Sequence, residues 1–178
     1  MQTGIEGLLV IEPKVFGDDR GYFFESFNCQ EFNVLAGQSI QFVQDNESKS
    51  SRGVLRGLHF QNPPHAQGKL VRVVKGSVQD VVVDLRKDSA TYGQHFSIVL
   101  SEKNKFQMWI PPGFAHGFAT LEDDTIFQYK CSEFYFPASE GCILWNDPHL
   151  KIDWLINNPI LSEKDKKGRT FVELITPF

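Results

Sequence analysis

Cysteine is scarce in this 178-residue chain, and the three present, Cys29, Cys131 and Cys142, fall in no CxxC or Cys/His metal spacing. So few thiols, odd in number, exclude a disulfide framework and a zinc finger and read as the reduced cysteines of a cytoplasmic protein. Long apolar runs are missing too: none approaches the roughly 18 residues of a membrane-spanning helix. The segment Met1 to Glu6 has no basic stretch leading into an apolar one, so no secretory signal is expected. Without a signal, Asn46-Glu47-Ser48 is a chance match to a glycosylation sequon. Positive charge is not in excess either, since 18 Lys and Arg against 22 Asp and Glu leave a net charge of -4. A generally basic nucleic-acid-binding surface is thereby excluded, and neither nucleic acid nor membrane is an expected partner.

Helical pattern is almost absent. Cys29 to Ala36 is the one stretch that predicts a short helix, with Asn28 as N-cap and Gly37 as its stop. A further helical turn is expected around Ser162-Glu163-Lys164-Asp165, which has capping character. Short apolar or alternating runs instead recur along the whole length: 8–11, 22–27, 40–43, 54–60, 70–74, 78–85, 96–100, 106–110, 118–121, 126–129, 134–136 and 143–145. Gly, Pro, Asn and Asp punctuate them, which is the pattern of an all-β sandwich or barrel. Val71 to Lys75 and Val78 to Val83, joined by Gly76-Ser77, read as a hairpin. No repeat, low-complexity tract or linker divides residues 1–178, so a single jelly-roll-like domain is expected.

Against that apolar background, Leu55-Arg56-Gly57-Leu58-His59-Phe60-Gln61 and Gln67-Gly68-Lys69-Leu70-Val71-Arg72 stand out. Charged side chains are rarely buried without partners, so strands carrying Arg56, His59, Lys69 and Arg72 point to a local anion site. An imidazole beside an ammonium also offers a base and a charge stabiliser. Tyr129 and Tyr135 share parity along what reads as one later strand and would face the same way, adding a proton donor. The competing structural readings are an aromatic core face for the tyrosines and a protective strand-edge lysine for Lys69. Arg56 and His59, three apart, face opposite sides of an ideal strand, so joint use in one pocket requires a bulge near Gly57 or Leu58.

Pro111-Pro112-Gly113-Phe114-Ala115-His116 has a P-x-G-x-x-H shape that resembles the cupins, whose metal sites add an H-x-H pair and a glutamate. Here the pair is replaced by His59-Phe60-Gln61, so the usual ligand set is incomplete and no metal is expected.

The chain as a whole, from about Leu8 to Asp165, closely resembles the dTDP-4-dehydrorhamnose 3,5-epimerases, cupin enzymes of dTDP-rhamnose biosynthesis. The resemblance is carried by Asp18-Asp19-Arg20-Gly21-Tyr22-Phe23-Phe24-Glu25, Phe42 to Asn46, Val54 to Gln61, Gln67 to Arg72, Val83 to Arg86, Ile110 to Phe118 and Ile143 to Asp147. It implies an all-β cupin jelly-roll β-sandwich with a few short peripheral helices, acting as a homodimer with exchanged N-terminal strands. It also implies no cofactor and no metal. The substrate would be a dTDP-linked 4-keto-6-deoxy sugar, inverted at C3 and C5 by proton abstraction next to the C4 ketone and reprotonation on the opposite face. By that resemblance His59 is the base, Asp165 its orienting carboxylate, Lys69 the cation at the C4 oxygen and Tyr129 the acid. Arg20 and Arg56 match diphosphate ligands, Glu25, Gln44 and Asn46 line the nucleotide site, and His116 and Tyr135 contact sugar or nucleotide. A nucleotide-sugar 5-epimerase, a 3,4-ketoisomerase, a metal-dependent cupin or a non-catalytic sugar-binding cupin are the alternative readings.

Overall fold

The computed structural model describes residues 3–178. Its strands are β1 (Leu9–Ile11), β2 (Val15–Asp18), β3 (Gly21–Phe24), β4 (Gln44–Ser50), β5 (Leu55–Gln61), β6 (Lys69–Lys75), β7 (Ser77–Asp84), β8 (His95–Ser101), β9 (Gln107–Ile110), β10 (Phe114–Thr120), β11 (Thr125–Cys131) and β12 (Glu140–Cys142). Two five-stranded antiparallel sheets, ordered β1-β9-β6-β11-β4 and β12-β5-β10-β7-β8, form the sandwich, and β2 pairs with β3 alone as a separate hairpin. The helix α1 spans Cys29–Ala36 as expected, with the Asn28 side chain accepting from the Gln30 and Glu31 N–H groups and Gly37 closing it at φ 67°.

Side-chain parity explains the layers. Inward residues of both sheets, among them Val71, Val73, Phe127, Val78, Val82 and Phe118, make the central core. The outward set of the second sheet, including Leu55, Leu58, Val81 and Val83, is covered by the C-terminal segment through Leu150, Trp154 and Phe171. Buried on both faces, β7 reads as a nearly continuous valine run rather than an alternation. α1 closes the outer face of the first sheet, packing Phe32 edge-on against Trp109 at 5.2 Å.

Three expectations need correction. The segments joined at Gly76-Ser77 are not a hairpin, because β6 and β7 lie in different sheets and Gly76, at φ 78°, turns the chain from one to the other. Thr125 packs where a Gly76 Cβ would stand, which leaves room only for glycine at that corner. Residues 40–43 and 134–136 are irregular, whereas the polar Gln44–Ser50 and Val15–Asp18 are strands. β4 is an edge strand with one face to solvent, so half of its positions tolerate charge. Finally, Tyr129 and Tyr135 do not share a strand: β11 ends at Cys131, and Tyr135 stands on the following loop.

Candidate active site

At one end of the sandwich the sheets part around a cleft of about 440 Å³ whose lining includes Arg56, His59 and His116 from one sheet and Gln44, Asn46, Lys69 and Tyr129 from the other. The second sheet reaches it through an irregularity in β5. His116 pairs with His59 and Phe118 with Arg56, so two residues of β5 oppose the single Gly117 of β10. That bulge at Gly57-Leu58 turns Arg56 and His59 to the same side, as joint use of both requires. Its tightness dictates glycine: a Cβ on Gly57, at φ 115°, would lie 2.6 Å from the Gly117 Cα, and one on Gly117 would lie 2.7 Å from the Arg56 carbonyl oxygen.

His59 is backed by Asp165 at 2.6 Å, Nε2 to Oδ1. The capping sequence that begins at Ser162 forms a single tight turn, Asp165–Lys167, in which the Ser162 hydroxyl donates to Asp165 Oδ2 at 2.7 Å. The Gly57 N–H also donates to Asp165 Oδ1, at 3.3 Å. Burial pushes the Asp165 carboxyl up, but the hydrogen bonds from His59 and Ser162 and the donation from Gly57 outweigh it and hold the group at about 2. An ionised Asp165 accepts a hydrogen bond from the Nε2–H group, which leaves the lone pair of a neutral ring on Nδ1.

Across the cleft, Lys69 pairs with Cys131 and Val71 with Tyr129, which places Lys69, Tyr129 and Cys131 on one inward face. Burial lowers the Lys69 ammonium from its usual range, while Cys131, Glu140 and Asp80 pull it back up. Lys69 makes no ion pair among the described residues, so its charge is free to meet a developing oxyanion. Its Nζ lies 5.9 Å from the centre of the Tyr129 ring. Burial raises the Tyr129 hydroxyl above its usual value, so the phenol stays protonated at neutral pH and has a proton to give.

The remaining expected residues divide. Arg56 sits at the cleft with its guanidinium on Ser50 Oγ at 3.2 Å, and Gln44 hydrogen-bonds both Asn46 and the backbone N–H of Tyr135. Tyr135 lines the rim and donates to Glu140 at 3.0 Å. His116 is buried against Asp80, Nε2 to Oδ1 at 2.9 Å. Arg20 and Glu25 are not brought to this cleft: Arg20 is an exposed residue of the β2–β3 turn bound to Asp18, and Glu25 accepts from Asn28 beside α1. Arg72 points to the outer face, where it donates to Gln128 Oε1 at 3.0 Å, and it takes no part in the cleft.

Four residues were not expected from the sequence: Asp80, Glu140, Ser162 and Lys164. Asp80 carried a signal, a lone carboxylate inside a valine run, and its Oδ2 finds no hydrogen-bond partner among the described residues. Glu140 and Lys164 form an ion pair at the cleft rim, across a separation in sequence that no local pattern reveals. Cys142 stands opposite His59 in the β12–β5 pairing, and its thiol is pushed up to about 11 by burial and by the charge of Asp165.

The chain is similar along nearly its whole length to proteins of one family. A family model described as dTDP-4-dehydrorhamnose 3,5-epimerase matches residues 2–173. Proteins of that name from Pseudomonas aeruginosa and Shigella flexneri are 55% and 53% identical over 173 residues, covering 97% of this chain and 95% and 96% of theirs. A crystal structure of dTDP-6-deoxy-D-glucose-3,5-epimerase from Legionella pneumophila, in complex with dTDP-4-keto-L-rhamnose, superposes with a TM-score of 0.94 at 47% identity, covering 98% of this chain and 93% of that one.

Proposed function

This chain belongs to the dTDP-4-dehydrorhamnose 3,5-epimerase family, and from that membership and the geometry of the cleft we propose how its residues divide the reaction. The enzyme inverts C3 and C5 of dTDP-4-dehydro-6-deoxy-D-glucose, giving dTDP-4-dehydro-L-rhamnose in dTDP-L-rhamnose biosynthesis. The observation that carries the division of labour is the placement of His59 and Tyr129 on opposite sheets, flanking one cleft.

His59 Nδ1 takes the proton from the carbon next to the C4 ketone. The C–H electron pair moves into the ring as the C4 carbonyl becomes an enolate, and the Lys69 ammonium stabilises the new negative oxygen. Asp165 stabilises the imidazolium that results. Tyr129 then gives its phenolic proton to the same carbon from the opposite face, which inverts the centre, and solvent exchange resets acid and base. A proton next to a ketone is already acidified by the carbonyl, so no redox cofactor is required.

Arg56, Gln44, Asn46, His116 and Tyr135 hold the sugar nucleotide, with Arg56 on the diphosphate. Arg20 and Glu25 reach the site as the partner subunit's Arg20 and the partner subunit's Glu25 in a homodimer with exchanged N-terminal segments. The isolated β2–β3 hairpin supports this reading, since it exposes Phe16, Tyr22 and Phe23 at 52%, 60% and 69%. Residues 1–178 act as one cupin domain. The three free thiols support a cytoplasmic setting, and no helix is long and apolar enough to cross a membrane.

In D₂O the wild-type enzyme is expected to place deuterium at both C3 and C5. His59→Asn should reduce exchange at both carbons by about 10² to 10⁴. Tyr129→Phe should slow inversion more than abstraction. Unchanged exchange in His59→Asn would remove the base assignment.

A further inference from the structure

We infer that His59, Cys142 and Asp165 form a binding site for a thiophilic divalent cation, zinc(II) in type, and that filling it switches the epimerase off. The inhibitory half of this inference rests on the reading of His59 as the base; the metal site itself does not.

The three residues come from β5, β12 and the turn after Ser162, and their donor atoms lie within 4.8 Å of one another. Imidazole nitrogen, cysteine sulfur and carboxylate oxygen are the three ligand types zinc takes. Donors on one tetrahedral zinc sit about 3–4 Å apart, so the 2.6 Å contact between His59 Nε2 and Asp165 Oδ1 opens to admit the ion while the other side-chain donors draw in around it. A water molecule fills the fourth position. Cys142 is fixed opposite His59 by strand pairing, and among the described residues its sulfur has only a weak hydrogen bond, to the Ile143 carbonyl at 3.6 Å. No step of the epimerisation uses this thiol.

The consequence for catalysis follows from the two nitrogens of one ring. His59 faces Asp165 through Nε2, and abstraction needs a free, unprotonated lone pair on Nδ1. A cation held between Asp165 and Cys142 takes the Nε2 lone pair, and the ring's single proton moves through solvent to Nδ1. The thiol proton leaves to solvent as the metal–sulfur bond forms, so charge and protons balance with no oxidant or reductant. The ring that results carries a proton where the substrate's proton must arrive. The cation therefore inhibits by fixing the wrong tautomer, and it does so from behind the base, without occupying the substrate's place.

The test compares wild type, Cys142→Ala and His59→Asn. Zinc sulfate should lower deuterium exchange by the wild-type enzyme at least about tenfold, with full recovery on adding a chelator. Cys142→Ala should keep its metal-free rate and require at least about tenfold more zinc, equivalent to about 1.4 kcal/mol, for the same inhibition. Cadmium gives a readout independent of turnover: its thiolate charge-transfer absorbance should appear with wild type, weaken with His59→Asn and vanish with Cys142→Ala. Equal zinc sensitivity in wild type and Cys142→Ala, or no cadmium band, overturns the site. A cadmium band in wild type with undiminished turnover overturns the inhibitory role alone. Full metal-free exchange by His59→Asn overturns the base assignment beneath that role.

Discussion

Buried carboxyls normally resist ionisation, yet Asp165, 3% exposed, is held at about 2 by the donors that surround it. Its charge decides which nitrogen of His59 is basic. In Asp165→Asn the amide can present its NH₂ to Nε2, which moves the ring proton to Nδ1 and disables the base. Deuterium exchange is expected to fall by about 10² to 10⁴, with nucleotide affinity unchanged by calorimetry. Stability carries the same signature. Because the folded carboxyl is a stronger acid than its unfolded counterpart, near 4, ionisation favours the fold by about 2 kcal/mol above that pH. The contribution fades as pH falls through about 2, so urea midpoints of wild type and Asp165→Asn should differ at neutral pH and converge in acid. A constant difference across that window would show that the charge of Asp165 is not what stabilises the native state.

At the scale of elements, the bulge in β5 is the device that makes a site out of a strand. Regular pairing would send Arg56 and His59 to opposite faces, one of them into the layer of Leu55 and Leu58. The local sequence disclosed this much, because two functional side chains three residues apart with a glycine between them require an irregularity. Gly57→Ala places a methyl 2.6 Å from backbone atoms of β10, which have no freedom to yield. We expect a loss of at least about 1–3 kcal/mol in urea unfolding, together with exchange activity reduced beyond the fraction unfolded. Wild-type stability and rate in that variant would mean that the strand accommodates a different register. The corner at Gly76 was misread for a related reason. A glycine between two apolar strands signals a reversal, and only the partners available to each strand decide whether the chain folds back or crosses to the facing sheet.

At the scale of the molecule, the cleft described for one chain is incomplete by the proposed division of labour, since Arg20 lies on a hairpin away from it. Hybrid dimers test this. Arg20→Ala and His59→Asn, each impaired alone, should regain activity when unfolded together and refolded. One site of each hybrid then carries both defects and the other carries neither, so recovery should approach roughly a quarter of wild type under random pairing. If Arg20 served its own chain, every hybrid site would be damaged and mixing would restore nothing.

The sequence by itself determined the all-β class, the short helix with both its caps, and the residue types of the chemistry. These are local quantities: alternation, capping side chains, and charge set into apolar strands at Arg56, His59 and Lys69. The partners of those charges reach them by other means. Asp165 lies 106 residues from His59 and Asp80 lies 36 from His116 along the chain. The Glu140–Lys164 pair and the approach of Cys142 to the dyad depend likewise on strand pairing and on a C-terminal segment laid across the second sheet. Apart from the pairing of Asp165 with His59, which the family resemblance implied, tertiary structure alone decided them, because a hydrogen bond a few ångströms long is set by which faces pack together, and hydrophobic burial fixes that packing only when the whole chain has folded.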